Sequence, residues 1–498
     1  MKKVLVLLMA LVMLASVACA EGGIASMVPA GDKPVLRALL INANADYNTY
    51  PAAAYLEEAT GYKVEYDMLP ASNSADKLNM VIAGNEYYDF IVAGSLDQVM
   101  RFAKAGALVN LNDWLQYTPK LDAAINDYER SSFTYEDGLY AIGMQNPAFD
   151  GKGSINTCIF LRKDYMEKVG VTEMPDTTEE FTELLRKFAT LGDDIIPLTL
   201  TPANIVLPGI AGAFGIPNSW NVNADNKLVA AAADENTKAY LQYVKDLYQE
   251  GLIDPEFAAN QNANVFEKWS TGKAAAAVLN YWDCDSYGDA MIELQPDAEI
   301  AYLPPVQGPD GQRAIGYNAG GFDRICFIPA VCENVEHVLN YFEIKLDEEI
   351  FRTYIIGEEG THYTVDENGD RWPINPTFVN ERGNSVNLRT GSPNEVYSEY
   401  WKLRVKKRAE YWDAWSTMNM TDAFSKHGVG EITNYAPAFD STVNLSSLNT
   451  MFNDECVKIV AGSLEVSDFD AFTEEWMNNG GKELTEDYNN WYLTFEMP

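Results

Sequence analysis

The sequence predicts an α/β protein of two lobes behind an export segment, and three observations carry that reading. Strand-like and helix-like segments alternate from Val35 onward. The 498 residues suffice for a large two-lobed unit with a sizeable core. The first residues run from positive to apolar to small, the order of a secretory signal.

Met1-Lys2-Lys3 is the positive start, and residues 4–17 are apolar except for Ser16. That run is too short to span a bilayer comfortably. Residues 1–20 are therefore expected to be a signal peptide, and 21–33 a flexible tether. Two cleavage readings stay open. Ala18-Cys19-Ala20 before Glu21 fits ordinary signal peptidase. Ser16-Val17-Ala18-Cys19 resembles a bacterial lipobox, in which Cys19 becomes the lipidated N-terminus; Ser16 departs from the aliphatic residue usual there. The protein is thus expected on the outer face of the membrane, lipid-anchored through Cys19, or else secreted or periplasmic. No later run approaches the length of a membrane span.

The segments come in order. "VLRALLIN" is a short apolar strand, and "TYPAAAYLEEATG" has helical spacing and stops at Gly61. "YKVEYDML" alternates as a strand does, "SADKLNMVIAGN" is helical, and "YDFIVAG" is a buried strand. "LDQVMRFAKAG" is a further helix. This order implies right-handed crossovers and a mostly parallel sheet. The middle repeats it: "TCIFLRK" a strand, "DYMEKVG" a short helix, then a helix capped by Thr177 or Thr178 and ended at Gly192. "IIPLTLT" reads as a strand, "ENTKAYLQYVKDLYQEG" as an amphipathic helix, and "FEKWSTGKAAAAVLNYW" as helix, glycine break and strand. "VEHVLNYFEIKL" and "YSEYWKLRVKKRAEYWDAWSTM" read as helices, and the tail as helix, Gly-Gly turn, helix.

Charge excludes some partners. With 36 Lys+Arg against 73 Asp+Glu, the net charge is −37, which disfavours nucleic acid and anionic lipid headgroups. Beyond Cys19, the cysteines 158, 284, 326, 332 and 456 are odd in number and scattered. They are read as buried thiols rather than a disulfide framework, although Cys326 and Cys332 are close enough in sequence to pair. Enzyme signatures are absent: no G-x-S-x-G, H-E-x-x-H or G-x-x-x-x-G-K-[ST] motif occurs. His337, His362 and His427 are far apart, so no metal site is expected. Glu358 and His362 sit at i and i+4, but Gly357 and Gly360 break that helix, and "DENGD" is a hairpin-type turn. The stretch 354–376 reads as a helix exit entering a hairpin. The basic run Arg404, Lys406, Lys407, Arg408 reads as a solvated face paired with nearby acids; docking to a membrane partner is the alternative.

"IFLRKDYMEKVGVTEMPDTTEEF" resembles the crossing segment of bacterial extracellular solute-binding proteins that serve ATP-binding-cassette importers. "YDFIVAGSLDQVMRFAKAGALVNLNDWL", "YLQYVKDLYQEGLIDPEFA" and "FEKWSTGKAAAAVLNYW" are similar to further segments of that family. "GEEGTHYTVDENGDRWPINP" and the tail resemble its lipoprotein-like, sugar-binding subgroup. The resemblance implies the type II periplasmic-binding-protein fold, with a ligand cleft between lobes. It implies lobe 1 at 34–157 plus 278–346 and lobe 2 at 158–277 plus 347–498, with chain crossings near 156–161, 275–280 and 344–350. It also implies hinge closure on the ligand.

The function so implied is capture of a sugar or oligosaccharide and delivery to ABC permease subunits. The protein would act as a monomer, without catalysis, cofactor or metal. Sugars stack on aromatic rings and bond to planar polar groups, and 59 aromatics are available. Strand ends are the favoured positions. They offer Asp46, Tyr47 and Tyr50 after the first strand and Ser95 after the third. Trp220, Trp282, Asp283, Tyr317 and Asn318 complete the expected set. Two alternatives remain: the same fold binding a peptide or other small solute, and a secreted carbohydrate-active hydrolase.

Overall fold

The computed structural model describes residues 23–43, 45–145, 153–392, 394–439 and 443–496. The signal peptide and Cys19 lie outside the described residues. Ten strands frame the candidate site and its support. In chain order they are β1 (Leu36–Leu40), β2 (Val64–Met68), β3 (Phe90–Val92), β4 (Ile142–Gln145), β5 (Thr157–Arg162), β6 (Ala276–Asn280), β7 (Ile300–Tyr302), β8 (Ile315–Tyr317), β9 (Phe322–Phe327) and β10 (Gly428–Gly430). The helices that accompany them are α1 (Pro51–Thr60), α2 (Ser74–Ala83), α3 (Leu96–Lys104), α4 (Asp127–Phe133), α5 (Cys284–Leu294), α6 (Val335–Lys345) and α7 (Ala409–Met420).

The chain forms two units. The first is Met1–Pro147 with Gly321–Lys407, the second Ala148–Gly320 with Arg408–Pro498. The chain passes between them after residues 147, 320 and 407, rather than near 156–161, 275–280 and 344–350. The stretch expected to return to the first lobe at 278 stays in the second, because β6 pairs with β5 along its whole length and β7 closes the other side of β5. The stretch expected to leave the first lobe at 347 stays in it, because the helix Glu348–Ile355 packs on α1.

The first unit holds a five-stranded sheet in the order β2-β1-β3-β9-β4. β1 is parallel to both neighbours, whereas β9 runs antiparallel to β3 and β4. β1 is buried at four of its five positions, as a central strand covered on both faces must be. β2 alternates buried and exposed, and its outward Asp67 pairs with Arg37. Pro51 opens α1 and Gly61, at φ 69°, closes it in the left-handed conformation that favours glycine. The expected tether is partly seated on this unit. Ile24 is buried, its N–H donates to the Tyr117 carbonyl at 2.7 Å, and its turn packs against α6. Lys33 donates to the Thr60 carbonyl at 2.7 Å and lies over the Tyr62 ring.

The second unit is built on the antiparallel sheet β6-β5-β7, so the mostly parallel sheet expected holds only in part. The segment 195–201 makes isolated parallel bridges rather than a strand. Pro197 lacks the N–H that a continuous ladder needs. A core of Leu184, Leu198, Tyr240, Val278 and others forms beneath, joined by Trp476 and Tyr488 of the C-terminal helices.

Two local expectations were met, the hairpin within 354–376 and the buried cysteines. Residues 363–373 form the hairpin Tyr363–Val365 and Arg371–Pro373. His362 is buried, accepts the Glu358 N–H at Nδ1 and meets Glu381 at Nε2. Among the described residues no group of His, Cys, Asp and Glu is placed to hold a metal. All five cysteines from 158 onward are buried free thiols, Cys326 and Cys332 included. The basic run differs from the expected solvated face. The helix breaks at 405–408, Arg404 donates to the Gly383 carbonyl, Lys406 to the Arg371 carbonyl, and Arg408 pairs with Asp289.

One buried ion pair ties the second unit together. Asp254 is fully buried and accepts hydrogen bonds from Lys268 at 2.8 Å, Thr199 at 2.7 Å and Asn260 at 2.9 Å. Burial alone would raise this carboxyl, but those donors outweigh it and hold the group below its usual range. Replacing Asp254→Ala removes the acceptor of the buried Thr199 hydroxyl and Asn260 amide and leaves Lys268 the exposed Glu256 as its charged partner. The substitution should cost about 1–3 kcal/mol in urea unfolding; a loss below about 0.5 kcal/mol would show the pair to be dispensable.

Candidate functional site

The residues expected to bind ligand fall into two groups, one on each unit. On the first unit they gather at the carboxyl end of β1 and β3. Asp46 is exposed and accepts from Asn48 and Thr49, closing the turn that leads into α1. Tyr47 and Tyr50 pack edge to face at 5.5 Å and are buried. Their hydroxyls hold the 3-10 turn Ser385–Leu388: Tyr47 donates to the Asn384 carbonyl, and Tyr50 accepts the Asn384 N–H. Burial pushes the Tyr47 phenol up to about 12, so it stays neutral. Ser95 is exposed, and its hydroxyl accepts the Gln98 N–H as the cap of α3.

The same end of the sheet carries residues that the sequence reading missed. Phe322, at the start of β9, stacks on Tyr128 of α4 with centroids 5.1 Å apart and planes 8° from parallel. Gln145, opposite Phe322 at the end of β4, is half-buried beside Glu129. Burial raises the Glu129 carboxyl to about 7. Asp323 binds Arg389 and Arg324, and the Arg324 Nε donates to Asn387 at 2.9 Å. Burial would raise Asp323, but the two guanidiniums hold it below its usual range.

On the second unit the structure brings Trp282, Asp283, Tyr317 and Asn318 around one short segment, residues 153–157. The Ser154 N–H donates to the Asn318 carbonyl and the Asn318 N–H donates back to the Ser154 carbonyl. A Cβ on Gly153 would lie 1.5 Å from the Asn318 carbonyl oxygen, so only glycine fits there. Asn419 of α7 reads the next residue like a strand partner, accepting the Ile155 N–H at 2.8 Å and donating to its carbonyl at 3.0 Å. The Tyr281 N–H donates to the Asn156 carbonyl, and Thr157 bonds to Asn280.

Trp282 stands out from this frame 38% exposed, its ring edge-on to Tyr281. Asn318 is exposed and Tyr317 is half-buried, its ring against Gly428 and Gly430 of β10. Beside them Gly320, at φ 63°, faces the Tyr435 ring. Asp283 turns inward, where its carboxylate accepts the Asn280 N–H at 2.8 Å.

Trp220 does not join this surface. Its ring is buried between Trp476 and Tyr488 in the core of the second unit. Its backbone is nonetheless linked to the group. Glu431 accepts the Trp220 N–H through its side chain and donates its own N–H to the Tyr317 carbonyl. Tyr411, edge-on to Tyr281, is a further member, as are Asn419, Glu431 and Tyr435. None carries a sequence signal, since nothing in their local pattern ties them to the strand end at 317.

Burial raises the Asp283 carboxyl to about 6, against the Asn280 backbone bond that favours its charged form. Between about pH 4 and 6 the folded state therefore holds a proton that the unfolded state has lost, and stability falls as pH rises through that window. The Asp283→Asn variant should show a flatter melting temperature from pH 4 to 6 than the parent. Parallel profiles would contradict the assignment.

The sequence profile of bacterial extracellular solute-binding proteins matches residues 44–323, more than half of the chain. Lipoprotein LipO of Bacillus subtilis is 24% identical over 491 residues, covering 93% of each chain. The polygalacturonan/rhamnogalacturonan-binding protein YtcQ of the same organism is 20% identical over 448 residues, 87% of this chain and 86% of its own. FusA of Streptococcus pneumoniae, a fructooligosaccharide ABC transporter substrate-binding protein, is 26% identical over 313 residues, 58% of this chain and 56% of its own. Its structure in complex with kestose superposes with a TM-score of 0.73 at 18% identity, covering 93% of this chain and 99% of FusA. That likeness shows the type II fold. With the profile match, it establishes that the chain belongs to the bacterial extracellular solute-binding protein family.

Proposed function

We propose that this protein is the extracellular receptor of an ABC importer that captures an oligosaccharide and hands it, unchanged, to permease subunits. The observation that carries the reading is the second-unit group. An exposed tryptophan, a half-buried tyrosine and an exposed asparagine are held on one rigid backbone segment. Aromatic faces for C–H surfaces beside amide groups for hydroxyls are what an uncharged saccharide needs. Membership of the solute-binding family and full-length likeness to FusA support the same class of ligand.

Ligand contact falls to Trp282, Tyr317, Asn318 and Asp46. Tyr47, Tyr50, Ser95, Asp283 and Trp220 hold those contacts in place rather than touching sugar. The protein acts as a monomer without cofactor, and Cys19 carries a lipid that keeps it at the membrane, in keeping with the lipoprotein LipO.

A thermal-shift screen tests the proposal. An oligosaccharide at a hundred times its Kd should stabilise the protein by about 2.7 kcal/mol. Trp282→Ala should weaken that ligand at least about tenfold, near 1.4 kcal/mol, with the free protein's melting temperature little changed. A shift by peptides and by no saccharide would overturn the substrate class, and turnover of a glycan would restore the hydrolase reading.

A further inference from the structure

The N-terminal segment sets how this protein stands on a membrane. Read from sequence, residues 21–33 are a flexible tether. The structure shortens it. From Gly23 onward the chain is pinned to the first unit. The Ile24 side chain is 2% exposed, its N–H donates to Tyr117, and Ser26 and Met27 close a 3-10 turn back onto Gly23 and Ile24. Lys33 fixes the far end through the Thr60 carbonyl and the Tyr62 ring. Only residues 20–22 separate Cys19 from this seated stretch.

Whatever their conformation, four residue steps reach at most about 14 Å. A compact unit of about 200 residues has a radius of gyration of about 16 Å, hence a diameter of about 40 Å. The leash is far shorter than the body it holds. The geometry points to a fixed membrane-facing surface on the first unit, the face where the Ile24 turn meets Tyr117 and α6. A bilayer holding the lipid of Cys19 lies against that face. This rests on the lipid-anchored reading of Cys19. Charge does not set the orientation, since a net charge of −37 gives no attraction to anionic headgroups. Met27, 37% exposed, lies in this turn and offers an apolar contact.

The opposite face is identified by topology. With the order β2-β1-β3, the crossover through α1 and the crossover through α2 step in opposite directions. Right-handed connections therefore put α1 and α2 on opposite faces of the sheet. α6 packs on α1 and on the Ile24 turn, so α2 lies on the far side.

The test uses the full-length lipoprotein on vesicles containing a nitroxide-headgroup lipid. A fluorophore is placed at Ser26→Cys or, as reference, at Met80→Cys on α2, where the side chain is 69% exposed. Quenching at position 26 should exceed that at 80 at least threefold. A Gly-Ser insert of about 20 residues between Glu21 and Gly22, with an average span of about 25 Å, should bring the ratio towards one while saccharide binding is unchanged. Equal quenching in the uninserted protein would overturn the orientation while leaving the anchor in place. Flotation of Cys19→Ser with vesicles as well as the parent, or flotation of neither, would remove the anchor and the proposal with it.

Discussion

The close approach of residues 153–157 to Asn318 is the constraint on which the candidate site depends. Two backbone hydrogen bonds join Ser154 and Asn318, glycine at 153 is the residue that allows it, and Asn419 clamps Ile155 from the side. Through Asn156 and Thr157 the same segment reaches Tyr281 and Asn280, and through them Trp282 and Asp283. Side chains far apart in sequence are thereby presented from one short run of backbone. A site built so has little conformational entropy left to lose when a ligand arrives.

The first unit answers with a different device. There the strand ends are held by buried phenols and a charged cluster rather than by backbone pairing. Tyr47 and Tyr50 fix the turn at 384–388, Asn387 links that turn to Arg324, and Asp323 is shared between Arg324 and Arg389. Such a network is costly to break because each member left alone would be a buried polar group without a partner. Its consequence is a rigid edge on which the stacked pair Tyr128 and Phe322 sits.

Much of this was legible in the residues. Continuous apolar runs marked β1 and β3, alternation marked the edge strand β2, and a glycine past its last turn marked the end of α1. The hairpin at 363–373 followed from Gly357, Gly360 and the Asn-Gly pair. What failed has a common cause. A residue that comes after a strand is near the strand end, but sequence does not say which way its side chain points. Tyr47, Tyr50 and Trp220 come after strands or turns as expected and yet point into the core. The lobe boundaries failed for a related reason: β5 and β6 read as crossing strands singly, and only their mutual pairing shows that they belong to one sheet. Tyr411, Asn419 and Tyr435 arrive from the far end of the chain, a distance that no local pattern encodes.

Calorimetric titration of the purified protein with defined oligosaccharides, followed by chromatography of the recovered sugar, tests the central claim most directly. Saturable binding of one sugar per chain, with that sugar recovered intact, is the result expected. Absence of heat with every saccharide, or recovery of cleaved sugar, would contradict the account.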